Sequence, residues 1–127
     1  MGAWGAGNFE QDYALDFVWR EVQQPLFSQI QKMLDKPVYA EADEPDSGLI
    51  MVAVEILALL SEHVNAVPPK PNEVALWKAT FLSAWDGTSS DVFFRQEDAA
   101  LRRQVIVATF DRLASIATKW HNQDASE

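Results

Sequence analysis

Gly48-Leu49-Ile50-Met51-Val52-Ala53-Val54-Glu55-Ile56-Leu57-Ala58-Leu59-Leu60 is the stretch on which the fold turns. No alternating run bounded by hairpin turn pairs occurs in the chain, so strand signals are weak. The stretch reads as a helix from about Gly48 to Val64, capped by Asp46 or Ser47. It is apolar nearly all round, which marks a central buried helix. Leu49 to Leu60 falls well short of a membrane span and contains Glu55.

Outward from this helix the spacing stays helical. On its N-terminal side residues 38–47 read as a loop, with Glu41, Asp43, Glu44 and Asp46 around Pro45. Before the loop, Leu26, Phe27, Ile30, Met33 and Leu34 form an apolar stripe that ends at Asp35-Lys36-Pro37. Pro25 interrupts the preceding helix or opens this one. Further back Ala14, Phe17, Val18 and Val22 make another stripe, and Asp16 stands four residues before Arg20 in the favourable order for a surface pair. Residues 1–9 are a glycine-rich arm with Gly2, Gly5 and Gly7. Asn8 is a helix cap, and Glu10 and Asp12 suit the positive end of a helix.

On the C-terminal side Pro68-Pro69-Lys70-Pro71 is a rigid extended connector. Asn72 caps a third region in which Trp77, Phe81 and Trp85 recur every four residues, and Asp86-Gly87 stops it. A last helical region runs from about Ser90 to Trp120, with a break near Gln96 to Asp98. Its buried stripe is Val105, Ile106, Thr109, Phe110, Leu113, Ile116, Ala117 and Trp120. Residues 121–127 form a fraying tail. The expectation is an all-α fold: one compact domain over residues 1–127, a bundle of about four or five helices with the apolar helix at its centre and the arm docked on it.

Composition restricts function. The chain has 127 residues, 48% hydrophobic, enough for one domain with its own core. It has no cysteine, which excludes a disulfide framework, a thiolate metal site and a cysteine nucleophile. With 19 acids against 10 bases the net charge is −9, a field that repels phosphate backbones and argues against nucleic acid. The start lacks a basic region followed by an apolar run, and Ala6 stands where a myristoylation signal has Ser or Thr. A cytoplasmic protein without a membrane role is expected.

The segment Gly2-Ala3-Trp4-Gly5-Ala6-Gly7-Asn8-Phe9-Glu10-Gln11-Asp12-Tyr13-Ala14-Leu15-Asp16-Phe17 resembles the opening of the uncharacterised bacterial family known as domain of unknown function 4259. That family begins Gly-Ala-Trp-Gly-x-Gly-x-Phe-Glu-x-Asp-x-Ala-x-Asp-Phe. A weaker likeness follows in the central helix, Met51 to Leu60 with Glu55. The resemblance covers the first half. The second half departs, with Ser90-Asp91-Val92-Phe93-Phe94 where Ser-Glu-Leu-x-x-Leu-Trp is the pattern. The resemblance implies a compact helical domain and no known activity.

Candidate sites are few. The glycine arm suggests a phosphate cradle, but no strand precedes it, no Lys follows, and Glu10 and Asp12 would repel an anion. Its plainer role is close backbone packing, with Trp4 and Phe9 as structural anchors. Glu10, Asp12 and Asp16 could hold a hard cation, yet only Asp12 and Asp16 share a helix face. An EF-hand register from Asp43 puts Gly48 at the sixth position but Pro45 at the third and Val54 at the twelfth, so it fails. Glu55 has only Met51, Val52, Ala58 and Leu59 as helical neighbours. It reads as a buried structural carboxylate, or as a general acid or base. His63 and His121 fit no metal spacing. No metal site and no cofactor follow. The leading expectation is a non-catalytic protein-interaction domain, adaptor- or immunity-like, that meets a basic protein through Glu41, Asp43, Glu44 and Asp46. The alternative is a small hydrolase or metal-dependent enzyme using Glu55 with Glu10, Asp12 or His63.

Overall fold

A computed structural model describes residues 5–88 and 96–125. The regular structure there is helical throughout, with no strand among the described residues. Helix α1 (Asp12–Phe17) passes through a π-helical turn (Val18–Gln23) into α2 (Gln24–Asp35). Backbone angles at Phe17, Gln23 and Gln24 are all right-handed helical, so these segments make one continuous rod. A 3-10 turn (Pro37–Ala40) leads to α3 (Pro45–Val64), then α4 (Pro71–Asp86) and α5 (Gln96–Ala125). The fold is the all-α bundle that the periodicity implies.

Pro25 accounts for the π turn. Proline has no N–H to give, and in a regular helix its ring collides with the carbonyl four residues back. That carbonyl belongs to Glu21, inside the π turn, where a wider turn accommodates the conflict without breaking the rod. The wider turn also shifts which residues face inward. Val18 and Gln23 are buried, but Phe17 is 55% exposed and Trp19 45% exposed. The stripe expected of Ala14, Phe17, Val18 and Val22 is therefore split. The expected Asp16–Arg20 pair is absent as well, and Arg20 Nε pairs with Glu21 at 3.3 Å.

Helix starts also differ in detail. The first helix begins at Asp12 with Gln11 at the cap position, so Asn8 lies in a turn outside it. Helix α3 opens with Glu44 at the cap position and Pro45 in its first turn, and the Ser47 hydroxyl donates back to the Glu44 carbonyl at 2.8 Å. Helix α4 opens at Pro71 with Lys70, not Asn72, at the cap. In both, proline's fixed φ suits a position whose N–H would be unpaired anyway. Helix α5 continues past Trp120 to Ala125, so most of the expected tail is helical. Trp4 and Ser90 to Phe94 lie outside the described residues.

The core forms around α3, whose Ile50, Val54 and Leu57 are fully buried. Ile30 and Met33 of α2 pack on one side, and Ile106, Phe110, Leu113 and Ala117 of α5 on the other. Helix α4 closes over α2, the 3-10 turn and α5 with Val74, Trp77, Phe81 and Trp85. Trp19, Phe27 and Trp77 form a chain of edge-on aromatic contacts at 5.6 Å, and Phe81 meets Phe110 at 5.7 Å. By length and composition α3 could cross a membrane, with a mean hydropathy of 1.7, but it is the core helix of this bundle.

One face of α3 stays open. Leu49 and Val52 are each 54% exposed, and Glu55 is exposed beside them. The expectation that Glu55 is buried is thus wrong: it lies on the outward side of α3, at an open groove shared with α5, although Met51 and Ala58 near it along the helix are buried. Val105, expected in the buried stripe of α5, is 51% exposed on the rim of the same face.

Candidate functional site

The C-terminal end of α3 borders two clefts. Asn65 follows it with φ 64°, a left-handed conformation that Asn tolerates better than most residues. The N–H groups of Asn65 and Ala66 both close on the Leu60 carbonyl. The carbonyls of residues 61–64 lie beyond the last turn's donors and carry the negative end of the helix dipole. The connector that follows is pinned from two sides. Buried Gln23 donates from Nε2 to the Val67 carbonyl at 2.8 Å, and His121 Nε2 lies 3.3 Å from the Pro68 carbonyl.

Two clefts share this helix end. The larger, about 500 Å³, lies between Ser61, Glu62 and Asn65 of the α3 end and Ser115, Ile116, Lys119 and Trp120 of α5. The smaller, about 310 Å³, lies between residues 61–65 and arm residues 7–10. Ser61, Glu62 and Asn65 line both. Ser61 is only 7% exposed, and its hydroxyl has no hydrogen-bond partner. Glu62 is held by Arg112 at 2.5 Å. On the arm, Glu10 turns back through its N–H to the Gly7 carbonyl at 3.1 Å. Its carboxylate then occupies the space that a Cβ at Gly5 or Gly7 would need, so a side chain at either position would drive the Glu10 tip away. Phe9, 45% exposed, is a wall of the smaller cleft.

A family model matches residues 2–126. The chain belongs to the family described as a domain of unknown function, DUF4259. The match runs almost end to end, so the departure at Ser90 to Phe94 does not confine the relationship to the first half. Neither the curated proteins nor the solved structures give a significant match. In this DUF4259 domain, residues 7–10 of the glycine-rich motif form one side of the smaller cleft.

The other candidate residues are dispersed. Glu10 and His63 line the smaller cleft together, but Glu55 sits in a separate groove of about 220 Å³ with Ala58, Val105, Ala108, Thr109 and Arg112. Glu55 and His63 stand roughly 12 Å apart along the axis at 1.5 Å per residue. Asp12 and Asp16 lie on α1. The groove at Glu55 is lined by none of Glu10, Asp12 and His63. Among the described residues no three His, Asp or Glu side chains are grouped for a metal ion. Of the acidic stretch, Asp43 is exposed, while Glu41, Glu44 and Asp46 are half-buried around the 3-10 turn and the start of α3. Glu44 and Asp46 there complement the positive end of the helix. This stretch is at the opposite end of α3 from the clefts, about 30 Å away at helical rise.

Ser61, Glu62, Asn65, Ser115 and Lys119 are cleft residues that the sequence does not single out. Asn65 alone carried a readable signal, an Asn closing a long apolar helix shortly before a proline run.

Proposed function

We propose that this DUF4259 domain is a non-catalytic, cytoplasmic interaction protein that receives a basic segment of a partner protein in the paired clefts at the end of α3. The observation that supports this reading is the makeup of that helix end. In the smaller cleft Glu10 and Phe9 face the C-terminal end of α3, whose last carbonyls carry the negative pole of the helix, and Trp120 lines the larger cleft beside it. Such a surface attracts donors and positive charge, and the aromatic walls suit the apolar stem of a long basic side chain. The overall charge of −9 adds steering of a basic partner over longer range. In this reading the acids Glu41, Asp43, Glu44 and Asp46 contribute to the long-range field and to the α3 start, and the clefts make the contact.

The test is a photo-crosslinking amino acid placed at Phe9 in cells of the source organism, with the same probe at Asp43 as control. The proposal expects crosslinks from position 9 to a lysine- and arginine-rich protein segment, weakened by salt. Crosslinks confined to position 43, or made to nucleic acid, would overturn it.

A further inference from the structure

Nearer the start of α3 lies a second surface, independent of the reading given to the clefts. Leu49 and Val52 are each 54% exposed there, and Leu101 and Val105 of α5 are 59% and 51% exposed. Glu55 and Val105 line the groove between the two helices, with Val52 one turn before Glu55 and Leu101 one turn before Val105. Although α3 is apolar enough to cross a membrane, only 39% of its most apolar stretch is buried. Such an uncovered apolar face marks an interaction surface.

We propose that a second copy of this chain covers the face, with α3 of each copy lying along α5 of the other. The relative direction of the two helices carries the argument. Residues 55 and 58 share the groove with 105–112, and residues 61–65 share the larger cleft with 115–120, so α3 and α5 run the same way. Leu49 and Val52 therefore fall near the level of Leu101 and Val105. A twofold axis parallel to the helices and midway between them exchanges α3 for α5 and keeps their direction. Each level then meets its own level, and the apolar residues of α3 face those of α5 in the other copy. The charges match as well. Glu55 has no ion-pair partner among the described residues, and Arg112, on the opposite side of the groove, is paired only at the rim with exposed Glu62. Across the axis Arg112 of the other copy stands about one turn, roughly 5 Å, beyond the level of Glu55, a gap its long side chain spans. The symmetry makes this pair twice. Two helices each about 10 Å wide, over the roughly 20 Å from Leu49 to Glu62, bury on the order of 800–1,000 Å² in a dimer, the range of weak and transient contacts. The net charge of −9 repels an identical copy at long range, so salt strengthens this contact and weakens one with a basic partner.

The test is sedimentation velocity of the full chain on dilution from about 1 mM, a concentration that populates even a weak contact. The wild type should pass from dimer toward monomer on dilution, with more dimer in high salt, and its amide resonances should move at residues 49–62 and 98–112. Val52→Lys, at an exposed position, should keep the wild-type melt and dimerise at least about tenfold more weakly. Glu55→Arg alone and Arg112→Glu alone should each weaken the dimer, because each sets like charges opposite one another at both symmetric positions. An equal mixture of these two variants should recover the wild-type dimer, because opposite charges then face each other at both. The charge variants decide the matter if Val52→Lys melts early. A wild type that stays monomeric at about 1 mM in high salt, a dimer indifferent to a folded Val52→Lys, or a mixture no tighter than its two components would each overturn the proposal. Shifts at residues 49–62 and 98–112 on adding neutral lipid vesicles to a chain that stays monomeric would also overturn it, by giving the face to a membrane.

Discussion

Gln23 links the π turn to the connector beside the clefts, and its removal measures that link. It is 2% exposed, and its Nε2 reaches the Val67 carbonyl at 2.8 Å, holding the connector that follows Asn65. Gln23→Ala removes one buried methylene, worth about 0.8 kcal/mol. It also removes a hydrogen bond with a net worth of about 1 kcal/mol. Because Val67 is itself 49% exposed, water can replace part of the lost bond, and a larger penalty for a dry carbonyl does not apply. The expected loss is about 2 kcal/mol, or roughly 8 °C in Tm at about 4 °C per kcal/mol for a domain of this size. Gln23→Leu separates the two contributions, since it keeps apolar volume and deletes only the donor, so its loss should be near half as large. Thermal melts followed by circular dichroism read both. A Gln23→Ala melt that overlays the wild type would refute the claim that this bond fixes the connector, and equal losses for Ala and Leu would assign the effect to the hydrogen bond alone.

Three further outcomes follow from the packing and the charges. Phe81→Ala and Phe110→Ala each empty a fully buried ring site where the two rings meet, so each should cost about 3–5 kcal/mol in chemical denaturation, and a loss below 1 kcal/mol would contradict the core assignment. Glu55→Ala should change stability by less than about 0.5 kcal/mol because the side chain is exposed, whereas a loss of 2 kcal/mol would restore a buried role. The bidentate hydrogen bond from Arg103 holds the Asp86 carboxyl below its ordinary value of 3.8, with partial burial opposing and charge attraction adding. A lowered folded-state value means that this pair stabilises fully above the ordinary carboxylate range and loses its effect as pH falls through the lowered value. In Arg103→Ala the Asp86 titration followed by NMR should return toward the ordinary value, and an unmoved midpoint would contradict the pairing.

Much of the bundle was legible because helical spacing records burial directly. Trp77, Phe81 and Trp85 recur every four residues and all three are buried, as are Ile106, Phe110, Leu113 and Ala117 along α5. What spacing does not record is which side of an apolar helix lacks a neighbour. The composition around Glu55 is the same whether or not another element covers it, and so its exposure could not be read. Pro25 signalled a disturbance, but whether the chain breaks or widens there depends on the packing of Val18 and Gln23. The clefts were hidden for a third reason. Ser61 is an ordinary serine in an apolar run until the end of α5 and the arm are brought beside it by the tertiary fold. The acids at Glu44 and Asp46 drew attention as a charged cluster, and the start of α3 gives them a local electrostatic reason.

The location of the binding surface is tested most directly by two variants of equal charge. Glu10→Lys alters the smaller cleft and Asp43→Lys alters the acidic stretch at the far end of α3, both at exposed positions and both by the same charge change. The measurement is the Kd of a lysine- and arginine-rich peptide, by titration calorimetry at fixed salt. The cleft account predicts at least about a tenfold weakening, or 1.4 kcal/mol, for Glu10→Lys and a much smaller change for Asp43→Lys. Equal weakening by the two, or a greater loss from Asp43→Lys, would contradict it.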